Sequence, residues 1–241
     1  MRTVAEWLDA ARRHGSLGAA ALHWQAHERG EDPSVPLALM HGRLRVMRES
    51  AQAGLSPTLR SVSGMVGGQA ALLAQSPFAG RFGLAGRAGI YALSIAEYNA
   101  CMGKIVAAPT AGACGILPGL LQALAEERNF QEDALVDALF VAAAVGESIA
   151  SQASISGAEG GCQAECGSAA AMAAAAMVFL EGGTPQQSAD AAAFTIMNLL
   201  GLVCDPAGGL VEVPCVYRNV GAVGVAITSA DMALAGINCP I

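Results

Sequence analysis

Three of the seven cysteines lie in turns beside glycine or proline, where a backbone can closely approach a bulky cofactor. Cys162 follows a pair of glycines and opens a predicted helix, Cys204 lies just past a predicted helix end, and Cys215 follows a proline. The positive end of a helix favours the thiolate form that metals need. These three side chains are therefore candidate metal ligands, and thiolates suit iron–sulfur clusters or zinc.

The spacing of these cysteines does not by itself name the cofactor. Intervals of 42 residues between Cys162 and Cys204, and of 11 between Cys204 and Cys215, match no short metal-binding motif. All four histidines precede residue 42, so a metal site in the rest of the chain must use cysteine, carboxylate or backbone ligands. At least three or four of the seven cysteines are expected to be small buried packing residues rather than ligands.

Lys104 is the only lysine, which limits the amine chemistry open to the chain. A pyridoxal-phosphate enzyme needs a Schiff-base lysine and a phosphate cradle, which Lys104 and residues 109–115 would imitate. No β-rich context accompanies them, and the glycine motifs of phosphate loops and dinucleotide sites are absent from the sequence. We therefore expect no pyridoxal phosphate.

Glycine-rich loops alternate with apolar helices, and these loops are expected to carry the function. They comprise residues 60–68, 107–115, 154–161 and 204–214. Asn129 with Glu132 predicts one capped helix start, and Thr184 with Pro185 and Gln187 predicts another. Strand signals are weak. The sequence therefore predicts a single, mainly α domain with little or no β-sheet, in which more polar N-terminal helices (1–55) precede an apolar catalytic body (56–241).

The composition excludes some partners. The net charge of −7 and the lack of a basic patch argue against nucleic acid. The apolar run 167–180 is too short to span a bilayer, and the longer run 105–125 is interrupted by proline and glycine. The N-terminal residues lack the apolar core of a signal peptide. We expect a cytoplasmic protein that does not enter a membrane and that buries part of its apolar surface against a partner.

Three segments resemble the iron–sulfur-dependent L-serine dehydratase family: residues 107–115, 155–165 and 204–219. The resemblance is carried by Gly-Cys-Gln-Ala-Glu, Cys-Asp-Pro and Val-Pro-Cys in this order, a specific combination. It extends through nearly the whole chain and is strongest over residues 97–236.

The resemblance implies a [4Fe–4S] cluster held by Cys162, Cys204 and Cys215, with one iron left open for substrate. Such an iron acts as a Lewis acid on the departing hydroxyl of L-serine, while a base removes the Cα proton. The products are pyruvate and ammonia, which places the reaction in amino-acid catabolism and gluconeogenesis.

Candidates for the other roles are less specific. Lys104, if burial lowers its pKa, is the first candidate base, and Glu165, three residues after Cys162, is the second. A structural ion pair for Arg218 and a helix-capping role for Glu165 remain open alternatives. The candidate donors to the substrate carboxylate are hydroxyl, backbone N–H and guanidinium groups of Ser61, Ser63, Gly67, Gly68, Thr110 and Arg218.

The resemblance also implies a partner. Single-chain family members carry a further domain ahead of this region, so the chain is expected to be the α-chain of a two-chain enzyme that works with a separate β-chain. Family α-chains usually continue past the position of Ile241, so the family's C-terminal tail is expected to be missing. Two other functions stay open. One is a cluster-free, truncated or non-catalytic relative that binds a β-chain, and the other is a lyase for cysteine or another β-substituted amino acid.

Overall fold

The structure is a computed structural model that describes residues 3–240. Ten α-helices lie in that range, and no strand occurs within it. The helices are α1 (Val4–His14), α2 (Leu17–Arg29), α3 (Ser34–Ala53), α4 (Gln69–Ala74), α5 (Gly83–Ala100), α6 (Ile116–Arg128), α7 (Glu132–Ala150), α8 (Gly157–Leu180), α9 (Pro185–Leu199) and α10 (Cys215–Leu234). The predicted mainly α architecture is confirmed.

The alanine-rich helix α8 forms the centre of the core. Residues 169–171 and 173–176 are alanines with no exposed surface. Their small side chains let α6, α7, α9 and α10 pack around α8. By length and composition α8 would also qualify as a membrane span, but 72% of its apolar window is buried inside the protein. That burial is typical of the central helix of a packed core.

The more polar N-terminal helices belong to the same core. Trp7 of α1 is 2% exposed, and its ring meets that of Trp24 of α2 edge to face, with centroids 5.4 Å apart. Helix α2 packs against α7, and α3 packs against α5. The main hydrophobic cluster therefore includes residues of the N-terminal helices, such as Trp7, together with residues of α10, such as Ala233.

One of the two predicted helix starts is correct. Thr184 caps α9, and its hydroxyl and the Gln187 side chain form the reciprocal bonds of a capping box. The capping box predicted at Asn129 is wrong. Asn129 instead ends α6 in the left-handed conformation, with φ of 55°, which asparagine tolerates better than most residues. The carboxylate of Glu132 binds His41 and Arg48.

Candidate functional site

A kink in α8 places Cys162 at the start of a new helical segment. Gly161 has φ of 78° and ψ of 177°, so the turn at residues 157–160 is separated from the long helix that follows. The loop predicted over 154–161 is thus partly helical. A Cβ atom at Gly161 would lie 2.7 Å from the carbonyl oxygen of Leu202, which itself accepts the N–H of Gln163 at 2.9 Å. Glycine is required here both by the backbone conformation and by the close approach of the loop that carries Cys204.

Arg218 connects the segments that carry all three candidate ligands. Its Nη1 lies 3.1 Å from Sγ of Cys162 and 2.8 Å from the carbonyl oxygen of Val203. The same guanidinium binds Asp205, with Nη1–Oδ1 and Nη2–Oδ2 distances of 2.7 and 3.2 Å. Arg218 thereby holds the residues on both sides of Cys204. It also lies in the first turn of α10, the helix that begins at Cys215.

The three thiols differ in burial, and the pKa values of the two buried thiols are shifted in opposite directions. Cys162 and Cys215 are buried, whereas Cys204 is exposed. A hydrogen bond from the Cys166 thiol and the nearby Arg218 guanidinium lower the pKa of Cys162. Burial, with the negative charges of Cys162 and Glu165, raises the pKa of Cys215 to about 11. A metal that bound all three would therefore displace a proton at Cys215.

The chemistry of this donor set fits an iron–sulfur cluster. Cys162 opens a helical segment after Gly161, Cys215 opens α10, and Cys204 lies between Val203 and Asp205, both of which contact Arg218. Cysteine thiolates are the usual protein ligands of iron–sulfur clusters. Over residues 3–240, however, no three histidine, cysteine or acidic side chains are already close enough to hold a metal ion. The ligand-bearing segments are neighbours, but the thiols would have to converge around an incoming group.

Glu165 and Thr110, expected to act on substrate, lie together beside Cys162. The Thr110 hydroxyl donates to Oε1 of Glu165 at 2.5 Å. A Cβ atom at Gly112 or at Gly157 would meet the Glu165 carboxylate at 2.6 or 2.7 Å. Glycine at these two positions thus leaves room for the carboxylate between the 107–115 loop and the first turn of α8.

Asn219 was not singled out in the sequence, yet it joins this loop to α10. Its side chain has no exposed surface. The side-chain oxygen accepts the N–H of Gly115 at 3.0 Å, and the amide donates to the carbonyls of Gly112 at 2.8 Å and Cys215 at 3.0 Å. Its sequence signal is weak: a polar amide one turn after Cys215 inside a predicted helix, where asparagine is disfavoured.

The polar loop expected to bind substrate instead binds carboxylates of the chain itself. The hydroxyls of Ser61 and Ser63 both donate to Glu212, and the N–H of Gly67 donates to Glu97. Neither glutamate was predicted from the sequence. Each is a single acidic residue in an apolar stretch of sequence. This isolation is the only sequence feature that could have indicated a buried carboxylate.

Within the described residues, Lys104 and Gly68 form no hydrogen bond or ion pair with the candidate ligands or catalytic groups described above. Lys104 is exposed, so the burial on which its role as a base depended is absent. Gly68 adopts the left-handed conformation with φ of 77° and precedes α4, and a Cβ there would meet the carbonyl oxygen of Pro57 at 2.7 Å. Its observed role is to allow a tight turn.

Cys114 and Cys166 are buried, as expected for packing residues.

Comparison with known proteins places this chain in a family. The profile of the serine dehydratase alpha chain family matches residues 25–241. The chain belongs to the serine dehydratase alpha chain family. It is 50% identical over 206 residues to the probable L-serine dehydratase alpha chain of Bacillus subtilis (strain 168), covering 84% of this chain and 68% of that one.

Two further relatives are matched over smaller shares of their own length. The chain is 54% identical over 146 residues to the L-serine dehydratase alpha chain of Peptoniphilus asaccharolyticus, which covers 61% of this chain and 50% of the relative. It is 46% identical over 151 residues to the L-serine dehydratase of Streptomyces coelicolor, covering 61% of this chain but only 32% of that protein. The match thus spans half of one relative and about a third of the other.

Proposed function

We propose that this chain is the α-chain of a cytoplasmic, two-chain L-serine dehydratase that converts L-serine to pyruvate and ammonia. We further propose that Cys162, Cys204 and Cys215 hold a [4Fe–4S] cluster. The names of the alpha chains from Bacillus and Peptoniphilus support the activity and imply a separate β-chain. The observation that carries the cluster proposal is the contact of Arg218 with Cys162 and with both neighbours of Cys204.

A bound cluster with an open iron supplies a Lewis acid for the departing hydroxyl of serine. The chain's own part is to hold the amino acid and remove a proton. Glu165 is the better-placed base, because it lies one turn from Cys162 and its carboxylate faces Thr110 in the adjacent loop. In this proposal Glu165 accepts the Cα proton, while the Thr110 hydroxyl orients the carboxylate through Oε1.

The 107–115 loop also offers donors for the substrate carboxylate. In the described part of the chain, no acceptor is bonded to the N–H groups of Ala111, Gly112 and Ala113, which precede α6. Consecutive backbone N–H groups near a helix start favour an anion. Ser61, Ser63 and Gly67 are engaged by internal carboxylates, and Arg218 holds the ligand segments, so we assign substrate binding to the 110–113 turn.

The test is anaerobic reconstitution with iron and sulfide, followed by measurement of iron, acid-labile sulfide, the visible spectrum and pyruvate formation with the β-chain and L-serine. About four irons and four sulfides per chain, with a broad brown absorbance, would support the proposal. L-cysteine as a second substrate distinguishes a lyase of different specificity. A folded chain that takes up neither iron nor sulfide would favour the cluster-free relative that binds a β-chain.

A further inference from the structure

The turn that begins at Ser61 holds the buried carboxylate of Glu212. The Ser61 hydroxyl donates to Oε2 of Glu212 at 2.6 Å, the Ser63 hydroxyl donates to the same oxygen, and the Ser63 N–H donates to Oε1 at 3.2 Å. Glu212 is only 4% exposed. Burial would raise the pKa of Glu212, but the hydrogen bonds from Ser61 and Ser63 outweigh it and hold the pKa below its usual value. The buried charge is thus compensated by three donors from one short turn.

The backbone of Glu212 is in turn part of the start of α10. Its carbonyl oxygen accepts the N–H of Val216 at 2.9 Å, directly after Cys215. The N–H of Ala207 donates to the carbonyl of Val213 at 2.7 Å and closes the loop on the other side. The Glu212–Val216 hydrogen bond encloses Cys215. A shift of Glu212 would therefore move the backbone at Cys215.

The far end of the same polar loop is also fixed. The buried carboxylate of Glu97 in α5 accepts the N–H groups of Gly67 at 3.2 Å, Gln69 at 3.1 Å and Ala70 at 2.9 Å. The Tyr217 hydroxyl donates to Oε1 of Gln69 at 2.8 Å, a second link from α10. The polar loop thus connects α5 with the start of α10. On the α10 side, the charged group that binds the loop is the carboxylate of Glu212.

We infer that Glu212 is a positioning residue that sets the place of Cys215 by binding the turn of Ser61 and Ser63. This rests on the proposed function only where Cys215 is taken as a cluster ligand. Glu212 contacts neither substrate nor iron in this inference. Its effect reaches the cluster through the backbone between residues 212 and 216.

Glu212→Gln tests the inference, because glutamine keeps the shape but removes the charge that strengthens the bonds from Ser61 and Ser63. Glu132→Gln is the matched control, since Glu132 also binds two side chains but does so on the surface at the start of α7. In the apo-chain, hydrogen–deuterium exchange should rise in residues 61–66 and 212–216 of Glu212→Gln and stay at the wild-type level in α7 and α9. Unchanged exchange at both segments would overturn the inference even if no cluster can be loaded.

The loaded chain gives a second readout. Loss of a charge-assisted hydrogen bond should shorten the lifetime of the visible cluster absorbance under an anaerobic chelator about tenfold in Glu212→Gln, and not in Glu132→Gln. Ser61→Thr, which keeps the hydroxyl, should restore most of the lifetime lost in Ser61→Ala. Glu212→Gln and Ser61→Ala should also be non-additive in a double-mutant cycle.

The exchange and lifetime experiments distinguish failure of the proposed function from failure of the inference about Glu212. A wild-type chain that loads no cluster contradicts the proposed function, while the exchange experiment still decides the link between Glu212 and Cys215. Equal cluster lifetimes and equal exchange in wild type and Glu212→Gln would contradict the inference alone. If Glu212→Gln does not fold, the Ser61→Ala and Ser61→Thr pair makes the same decision.

Discussion

The Nη1 atom of Arg218 lies 3.1 Å from Sγ of Cys162, although the two residues are 56 positions apart in sequence. The guanidinium lowers the pKa of this thiol, after the larger effect of the Cys166 hydrogen bond, and is anchored on its other side by Asp205. The charge that the sequence suggested for a substrate carboxylate therefore binds the segments that carry the candidate ligands. Arg218 holds these segments near one another.

Arg218→Ala should reduce cluster loading while the helical core remains. Removing the guanidinium leaves Cys162 without its charged partner and releases the loop around Cys204, so iron and sulfide bound per chain at limiting iron should fall about tenfold. Arg218→Lys should recover only part of the loss, because an ammonium cannot reproduce the forked contact with Asp205. Arg128→Ala is the control, since Arg128 pairs with Glu181 away from the thiols. Full iron content in Arg218→Ala would show that the ligand segments do not depend on it.

Cys204→Ser should abolish cluster retention without changing the fold. Cys204 is exposed, so the substitution removes no packing, and the helical circular dichroism should match that of wild type. Iron and acid-labile sulfide after anaerobic reconstitution are the measurements. Cys101→Ser, at a half-buried cysteine outside the proposed ligand set, serves as the control. Wild-type iron content in Cys204→Ser would remove Cys204 from the ligand set.

The thiols of the apo-chain should differ sharply in alkylation. Cys204 is exposed and should react first with iodoacetamide at about pH 8, whereas the buried Cys114, whose pKa burial raises to about 12, should react only after denaturation. Mass spectrometry of peptides from timed reactions gives the order. Cluster loading should then protect Cys204 selectively, and rapid labelling of Cys204 in the loaded chain would contradict its role as a ligand.

Glu165→Gln should lower kcat without lowering iron content. A general base contributes a factor of about 10²–10⁴, and glutamine can still accept the hydrogen bond from Thr110. Lys104→Met should leave kcat close to that of wild type, because Lys104 is exposed. Pyruvate formation by the complete two-chain enzyme, normalised to iron, is the measurement. A large loss of kcat in Lys104→Met, together with a wild-type kcat in Glu165→Gln, would reverse the assignment of the base.

Gly161→Ala should destabilise the protein by at least about 2 kcal/mol, because alanine must adopt a left-handed conformation and meet the Leu202 carbonyl. Gly221→Ala is the matched control. Gly221 lies within α10, and a Cβ there would meet no atom within 4 Å, so alanine should stabilise by up to about 1 kcal/mol. Urea denaturation of both variants provides the comparison. Equal stability of Gly161→Ala and wild type would mean that the kink is not required.

The sequence by itself determined the helical class and the local signals that depend on neighbouring residues. Thr184 and Gln187 cap α9 as predicted, because both bonds of a capping box lie within four residues. The alanine run that forms the buried centre of α8 was also predicted to be helical from the sequence. Asn129 shows the limit, because the same residue type suits a helix start and a left-handed helix end, and only the surrounding chain decides between them.

Only the tertiary structure decided which polar groups meet across the fold. The sequence suggested Arg218, Ser61 and Ser63 as donors to a substrate, but folding brings Arg218 to Cys162 and the two serines to Glu212. These pairings depend on how α8, α10 and the loops between them pack, and no spacing along the chain encodes them. The physical reason is that a buried charge must find its partner in space, and the most favourable partner is set by the packed core rather than by sequence distance.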